Sequence, residues 1–142
     1  MSFGVYINFN GNCREAVEYY SKIFATEKPQ IMTFNDVLPN PYLEIEEEDK
    51  HLILNASMKI KGTTVMFSDV PKGVPLNIGN NMSITITSKD MDEIKMLFDK
   101  LKEGGIVNME LQETFWSKCY GYVIDKFGIC WQLSYEDDTL QY

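Results

Sequence analysis

Few side chains in this sequence can do acid–base chemistry near neutral pH. His51 is the single histidine, and imidazole is the side chain whose unperturbed pKa lies in that range. It opens the apolar run HLILNASM (51–58) just after Glu48 and Asp49, so it could be a base in a pocket or a partly exposed residue at a strand end. Glu110 and Glu113 could add a carboxylate base, although charged residues at strand ends are usually solvated. His51 and Glu113 are the candidate catalytic residues, and both interpretations stay open.

Three cysteines, Cys13, Cys119 and Cys130, are candidate nucleophiles. Their odd number, wide spacing and lack of a CxxC pair do not fit a disulfide framework. A nucleophilic thiol needs a nearby base, and His51 is the histidine that could supply it. We expect free, mostly buried thiols, with a Cys–His pair as the open alternative.

Large aromatic side chains crowd the segment TFWSKCYGYVIDKFGICWQLSY (114–135). Two runs of β-branched and aromatic residues flank Asp125 and Gly128, which is the pattern of a β-hairpin. Asp125 is expected to begin the turn by bonding its own backbone. The rings could line a ligand pocket, form a dimer surface or fill a core. They belong to Trp116, Tyr120, Tyr122, Trp131 and Tyr135.

Strand alternation leaves the direction of several candidate ligand contacts open. Gln132 follows Trp131, so one of the pair faces a pocket and the other faces the opposite side. If Gln132 faces inward it offers an amide to a ligand, and if it faces outward it is solvated. Tyr6 and Tyr122 are hydroxyl donors whose faces the sequence does not determine. We predict ligand contacts at Trp116, Gln132, Tyr6 and Tyr122, each of which could also be a packing residue.

Length and charge limit the classes to which the protein could belong. A chain of 142 residues suits one domain or two small modules, and no run approaches the roughly 18 apolar residues of a membrane helix. Acidic residues outnumber basic ones 21 to 13, which argues against nucleic acid or an anionic membrane as a partner. The N-terminus lacks the basic and apolar regions of a signal peptide, so we expect a cytoplasmic protein.

Hydrophobic periodicity predicts a strand, a helix and three strands in the first half of the chain. Strands are predicted at 3–9, 30–35, 51–58 and 63–68. The helix is predicted at 13–24, with Asn12 as its N-cap and Glu15 completing a capping box. The segment 69–81 carries two prolines, two glycines and three asparagines, and it is predicted to separate the two halves.

The second half repeats this order. Strands at 82–87, 106–112, 119–124 and 129–135 accompany a helix that Asp90 caps, with Glu93 in a second capping box, and that Gly104 and Gly105 end. The duplication predicts an α+β fold of two βαβββ modules. Module one spans 1–69, a linker spans 70–81 and module two spans 82–142.

Several stretches resemble the PhnB-like branch of the vicinal oxygen chelate superfamily, which includes glyoxalase I and bleomycin- and fosfomycin-resistance proteins. They are FNGNCREAVEYYSKIF (9–24), HLILNASMKIKGTTVMFSD (51–69), the helix from DMDEI to LKEGG (90–105) and, most specifically, ETFWSKCYGYVIDKFGICWQLSY (113–135). The resemblance implies one glyoxalase/bleomycin-resistance domain over 1–142, whose half-barrel sheets enclose a small-molecule pocket, often across a homodimer. Some members carry a methyltransferase name, which we do not transfer because no glycine-rich nucleotide loop follows a strand here.

The resemblance also implies positions for the divalent metal that many relatives use as a Lewis acid. They fall at Val5, Tyr6 or Ile7 on the first strand, at Asn81, Met82 or Ser83 on the fifth, and at Gln132 on the last. None of these is His, Asp or Glu, and one neutral amide does not hold a divalent ion. We therefore predict no metal and no other cofactor. Relatives often have glycine where this chain has Ser117, so the geometry of that loop could differ.

These observations predict a protein that binds a small organic ligand. The bleomycin-resistance relatives are the precedent, because they bind a ligand without catalysing a reaction on it. The ligand would lie in a pocket of a homodimer without the metal triad. The alternative is a lyase, isomerase or dioxygenase-like enzyme with an atypical site around His51. A third possibility is a dimeric scaffold whose pocket is filled by its own side chains.

Overall fold

The computed structural model describes residues 1–137, and the chain divides into two compact units, Met1–Asn77 and Ile78–Tyr142. Each unit runs strand, helix, strand, strand, strand. This is the βαβββ order that the hydrophobic periodicity predicts, and it appears twice. The predicted α+β fold class is therefore confirmed.

The first unit is built around a four-stranded sheet. The regular elements are β1 (Val5–Phe9), α1 (Cys13–Phe24), β2 (Gln30–Thr33), β3 (Ile53–Ile60) and β4 (Thr63–Asp69). The strands lie in the order β1-β4-β3-β2, with β1 parallel to β4 and the other pairs antiparallel. Two short 3₁₀ helices, at Asn35–Val37 and Glu47–Asp49, lie in the connection between the second and third strands.

The helix α1 covers one face of this first sheet. Its apolar side chains recur at helical spacing, and Tyr20 is fully buried with its ring stacked 6.0 Å from that of Phe67. The Phe9 ring lies 6.3 Å from Phe67 on the same face. Because side chains alternate along a strand, Tyr6 and Met66, which are register partners, point to the other face. We call that side the far face of the first sheet.

The start of α1 agrees with the prediction in position but not in its side-chain bond. Asn12 is the N-cap residue, as predicted, but its side chain makes no capping hydrogen bond. Asp69 at the end of β4 supplies the carboxylate instead, and its Oδ1 accepts hydrogen bonds from the backbone N–H of Gly11 at 2.9 Å and of Cys13 at 3.0 Å. Its Oδ2 accepts from the N–H of Ile53 at 2.9 Å. A buried carboxylate distant in sequence thus ties the helix start to two strands.

The second unit contains a similar four-stranded sheet. Its elements are β5 (Ile84–Ser88), α2 (Met91–Lys102), β6 (Ile106–Gln112), β7 (Tyr120–Ile124) and β8 (Cys130–Tyr135). The strands lie in the order β5-β8-β7-β6, with β5 and β8 parallel and the pairs β8–β7 and β7–β6 antiparallel. Register shifts interrupt β6, so its side chains do not alternate evenly.

The helix α2 begins as predicted. Asp90 accepts hydrogen bonds from the backbone N–H of Asp92 and Glu93 at 3.0 and 3.2 Å, which is the expected N-cap. The reciprocal half of the capping box is relayed, because Ser88 Oγ donates to the Glu93 carboxylate and accepts from the Asp90 N–H. The cap thereby ties α2 to the end of β5.

A close approach between α2 and β7 depends on a glycine. A Cβ on Gly121 would lie 2.7 Å from Cε2 of Phe98 and 2.8 Å from Cδ2 of Leu111. Only a residue without a side chain lets the helix sit this near the sheet. The side chains next to Gly121, those of Tyr120 and Tyr122, therefore point away from α2. We call the face they occupy the far face of the second sheet.

Neither helix of the described chain is long and apolar enough to span a bilayer. Each has 12 residues, whereas a spanning helix needs about 20.

Candidate functional site

The β7–β8 hairpin is held by Asp125, the residue predicted to begin its turn. The buried Asp125 Oδ1 accepts hydrogen bonds from the backbone N–H of Phe127 at 2.8 Å and of Ile129 at 3.1 Å. Gly128 takes φ +86°, a left-handed conformation that suits glycine. The predicted Asp-to-Gly turn is confirmed.

Asp125 also determines which side chains of β8 lie on the side of the sheet that α2 covers. Its Oδ2 accepts the indole N–H of Trp131 at 2.8 Å, and Trp131 is only 2% exposed. Trp131 pairs in register with the buried Val123, on the side of the sheet that α2 covers. Alternation then turns Gln132 to the far face, which resolves the direction that the sequence leaves open.

Gln132 lies at the centre of a short hydrogen-bond chain on the far face of the second sheet. The Tyr120 hydroxyl donates to Gln132 Oε1 at 2.6 Å, and Gln132 Nε2 donates to Ser83 Oγ at 2.6 Å. All three side chains are half-buried. Thr85 is the register partner of Gln132 on β5, so this chain of hydrogen bonds runs across β7, β8 and the start of β5. The bonds hold the Gln132 amide in place, and no charged group takes part in them.

Aromatic rings extend this cluster at the Tyr120 end. The Trp116 ring meets the Tyr120 ring edge-on, with centroids 5.1 Å apart, and Phe115 meets Trp116 edge-on at 4.6 Å. Ser117 is fully buried, and its hydroxyl is bonded to the backbone of Cys119 and to the Tyr135 carbonyl. The loop that presents Trp116 is thus anchored to β8.

Tyr122, a predicted ligand contact, also lies on this far face, as the register partner of Gln132. A hydrogen bond with the Cys130 sulfur raises the pKa of Tyr122, and burial raises it further. Burial raises the pKa of Tyr120 as well. Both phenols therefore stay protonated at neutral pH and act as neutral hydrogen-bonding groups.

Tyr6 and His51 belong to the first unit. Tyr6 is 46% exposed on the far face of the first sheet, and its hydroxyl accepts from Asn55 Nδ2 at 3.4 Å. His51 is exposed and lies in a turn, two residues before β3 begins at Ile53. It does not open the strand as predicted. His51 has no hydrogen-bond or ion-pair partner within residues 1–137.

The carboxylate candidates lie in the second unit. Glu110 is exposed within the bulged strand β6, and Glu113 is exposed just after that strand ends. Neither belongs to the hydrogen-bond chain around Gln132.

The cysteines are buried and free, as predicted. Burial, followed by the nearby Asp69 carboxylate, raises the pKa of Cys13 to about 12. Burial likewise raises the pKa of Cys119. Since the thiolate is the nucleophile, these two thiols are inert at neutral pH.

A wide cleft of about 780 Å³ lies in the connection between β2 and β3 of the first unit. Leu38, Pro39 and Leu43 form its apolar part, and Glu44 and Glu47 are among the acidic residues around it. Glu47 is exposed and pairs with Lys50 at 2.6 Å. The acidic run thus behaves as the solvated surface that the sequence suggests.

The positions that the resemblance implies for a metal carry neutral side chains. Within residues 1–137, no three His, Cys, Asp or Glu side chains come close enough together to hold an ion. The Gln132 amide already bonds Tyr120 and Ser83. Sequence reasoning considered Ser83 only as a metal position and missed its bond to Gln132. The alternation of MSITIT (82–87) could have placed Ser83 and Thr85 on one face.

Comparison with known proteins identifies the family. The model of the family described as 3-demethylubiquinone-9 3-methyltransferase matches residues 2–134. Protein YjdN from Escherichia coli (strain K12) is 30% identical over 141 residues, covering 94% of this chain and 95% of that protein.

Solved structures agree with this assignment. Protein PA1353 from Pseudomonas aeruginosa is 30% identical, covers 96% of this chain and 100% of its own, and superposes with a TM-score of 0.80. A PhnB protein from Bacillus cereus is 25% identical with the same coverage and a TM-score of 0.72. A glyoxylase/bleomycin resistance protein/dioxygenase domain from Frankia sp. EAN1pec, 10% identical over 96% of this chain and 98% of its own, shares the fold with a TM-score of 0.65. The chain therefore belongs to the family described as 3-demethylubiquinone-9 3-methyltransferase, whose PhnB-like members have the glyoxalase/bleomycin-resistance fold.

Proposed function

We propose that this protein binds a small organic molecule on the far face of the second sheet. The observation that carries the proposal is the chain from Tyr120 through Gln132 to Ser83 with the Trp116 ring beside it. Fixed polar groups next to rings are the usual composition of a small-molecule site. Tyr122 on the same face adds a further ring. Tyr6 lies in the first unit and stays a separate predicted ligand contact.

Burial supports this choice of face. Trp116, Tyr120, Tyr122 and Gln132 are all half-buried, so they are neither packed away in a core nor fully solvated. α2 covers the opposite face, where Val123, Trp131 and Leu133 are almost wholly buried. Rings that are ordered by neighbours yet accessible can stack on a ligand at a low entropic cost.

The metal chemistry of related enzymes does not fit these residues. The implied positions offer at best a phenol, a hydroxyl and an amide, and Gln132 uses both ends of its amide internally. Divalent ions need several carboxylate, imidazole or thiolate ligands. We therefore propose that the site works without a bound metal or another cofactor, and no reaction step is derived through one.

The methyltransferase activity in the family description is not part of this proposal. Methyl transfer from a nucleotide-containing donor needs a binding site for that donor. Nucleotide sites of this kind usually have a glycine-rich loop between a strand and a helix. The connection from β1 to α1 holds Gly11 as its one glycine, and Ser88 to Asp90 join β5 to α2 without any.

The assembly and location of the protein are further parts of the proposal. We propose that the protein is a cytoplasmic homodimer. We also propose that it has no nucleic-acid partner, because its net charge is −8 and phosphate binding requires a positive face. Exposed apolar side chains on the far face of the first sheet, Met32 at 47% and Met66 at 36%, suit contact with a second chain.

The proposal is tested by the small molecules that copurify with the protein. Wild type, Trp116→Ala and Met96→Ala would be denatured and extracted, and the extracts compared by mass spectrometry. Met96 is the matched control because it is 46% exposed on α2, which covers the other side of the sheet. We expect a compound that wild type and the control retain and Trp116→Ala loses. Equal retention by all three proteins would contradict the proposed site.

The enzymatic alternative, with His51 and Glu113 as catalytic residues, stays a prediction. Both side chains are exposed, and neither contributes to the hydrogen-bond chain around Gln132. No contact within residues 1–137 favours it over binding alone.

A further inference from the structure

The far face of the second sheet is free of formal charge at its paired positions. The chain carries 21 acidic and 13 basic residues, yet the strand register assigns only neutral side chains to this face. The paired positions on this face are Thr85, Thr87, Ile106, Met109, Gln112, Tyr120, Tyr122, Ile124, Cys130, Gln132 and Ser134. Glu110 in the bulged part of β6 and Lys126 in the hairpin turn are not among them.

This neutrality is not a property of the unit as a whole. α2 carries lysines and acids along its exposed side, among them Lys95, Asp99 and Lys102. A charged ligand that left water to lie on these positions would meet no opposite charge at any of them. Desolvating an unpaired charge is expensive, so these positions select against ions of either sign.

The hydrogen-bond chain on this face also has a fixed direction. Gln132 Oε1 can only accept, so the Tyr120 hydroxyl must be the donor to it. Ser83 Oγ accepts from Gln132 Nε2. The hydroxyl hydrogen is left to donate, since the Ser83 side chain makes no other hydrogen bond within residues 1–137. Gln132 keeps a second N–H as well. The open end of the chain therefore presents donors.

Donors at the open end call for an acceptor on the ligand. A carbonyl oxygen has two lone pairs, so it can receive the Ser83 hydroxyl and the second Gln132 N–H together. Tyr122 is the cross-strand register partner of Gln132 on this face, so a flat ring next to the carbonyl can lie against the Tyr122 ring.

We propose that the far face of the second sheet selects an uncharged ring compound bearing a carbonyl, which the Ser83 hydroxyl and the Gln132 amide hold by hydrogen bonds. This inference rests on the proposed function, because it names the ligand class of the same site. It adds Ser83 as a specificity-determining residue and excludes ionic anchoring.

A matched set of probes tests the inference. Naphthamide, naphthoate and naphthylmethylammonium share one ring system and are neutral, anionic and cationic at pH 7. Calorimetric titration of wild type should give a dissociation constant for the amide about tenfold or more below those of both ions. Ser83→Ala should weaken amide binding about 3- to 10-fold, the worth of one net hydrogen bond.

Thr63→Val is the control for Ser83→Ala. Thr63 is an exposed residue at the start of β4 in the first unit, so this variant should bind the amide as wild type does. If either ion binds as tightly as the amide and Trp116→Ala weakens that ion, the inference falls while the proposed function stands. If wild type binds none of the three probes, the inference falls, and the proposed function is then decided by the comparison of copurifying compounds alone. Equal amide affinity in Ser83→Ala and wild type would overturn the role of Ser83.

Discussion

The substitution Asp125→Asn should destabilise the hairpin that carries the candidate site. In the native protein one carboxylate oxygen serves two backbone N–H groups and the other serves the Trp131 indole at 2.8 Å. An asparagine amide has one oxygen and one NH₂ group. In either orientation, a buried N–H faces another N–H where an acceptor stood.

The magnitude follows from what is lost at this site, which is only 3% exposed. A hydrogen bond to a charged group is worth about 1.5–3 kcal/mol, and a buried donor left unsatisfied costs about 1–3 kcal/mol. These two losses overlap, so we expect Asp125→Asn to lower the free energy of unfolding by about 2–5 kcal/mol. Urea unfolding followed by far-UV circular dichroism measures it.

A double-mutant cycle with Trp131→Phe identifies the bond responsible. Phenylalanine has no N–H to oppose the asparagine amide. The double mutant should therefore lose about 1–3 kcal/mol less free energy of unfolding than the two single mutants lose together. In wild type the Trp131 indole N–H should exchange with deuterium far more slowly than that of the half-buried Trp116. A loss below about 1 kcal/mol for Asp125→Asn, or strict additivity in the cycle, would refute the assignment of this bond.

Three further perturbations test other contacts. Gly121→Ala should cost about 1–3 kcal/mol, because the new Cβ would lie 2.7 Å from Phe98; an unchanged urea midpoint would contradict this. Asp69→Asn should cost about 2–5 kcal/mol and speed hydrogen exchange of the Cys13 amide, whereas native protection would show that Asp69 does not cap α1. The pKa of the Cys13 thiol is about 12 in the folded protein against an ordinary 9.0. Its contribution to stability is therefore full below pH 9 and lost as pH rises through 12, so Cys13→Ala should unfold less steeply with alkali, and equal slopes would contradict this.

Local sequence patterns predicted most of the helices and strands correctly. The helices at 13–24 and after Asp90 agree with α1 and α2 because both have an apolar stripe at helical spacing. Strand ends differ by about two residues. The second strand ends at Thr33 because Asp36 Oδ2 accepts the Thr33 N–H and the chain turns into a 3₁₀ helix. Competition of this kind between turn and strand is not visible in periodicity alone.

Contacts between residues far apart in sequence set the features that sequence reasoning missed. The side-chain acceptor at the start of α1 comes from Asp69, 56 residues from Cys13, although the local signal placed the N-cap residue at Asn12 correctly. The direction of Gln132 depends on the bond between Asp125 and Trp131, which alternation cannot decide. The contact of Ser83 with Gln132 spans 49 residues and follows only from the parallel pairing of β5 and β8.

The central claim is that the far face of the second sheet is a site for an organic ligand and not a metal centre. Thermal unfolding of wild type, titrated with nickel, zinc, manganese and iron, tests it most directly, since a ligand that binds the folded state raises Tm in a saturable way. We expect no saturable rise in Tm with any of these metals. A saturable rise that Gln132→Ala abolishes would contradict the claim and favour a metal-dependent enzyme.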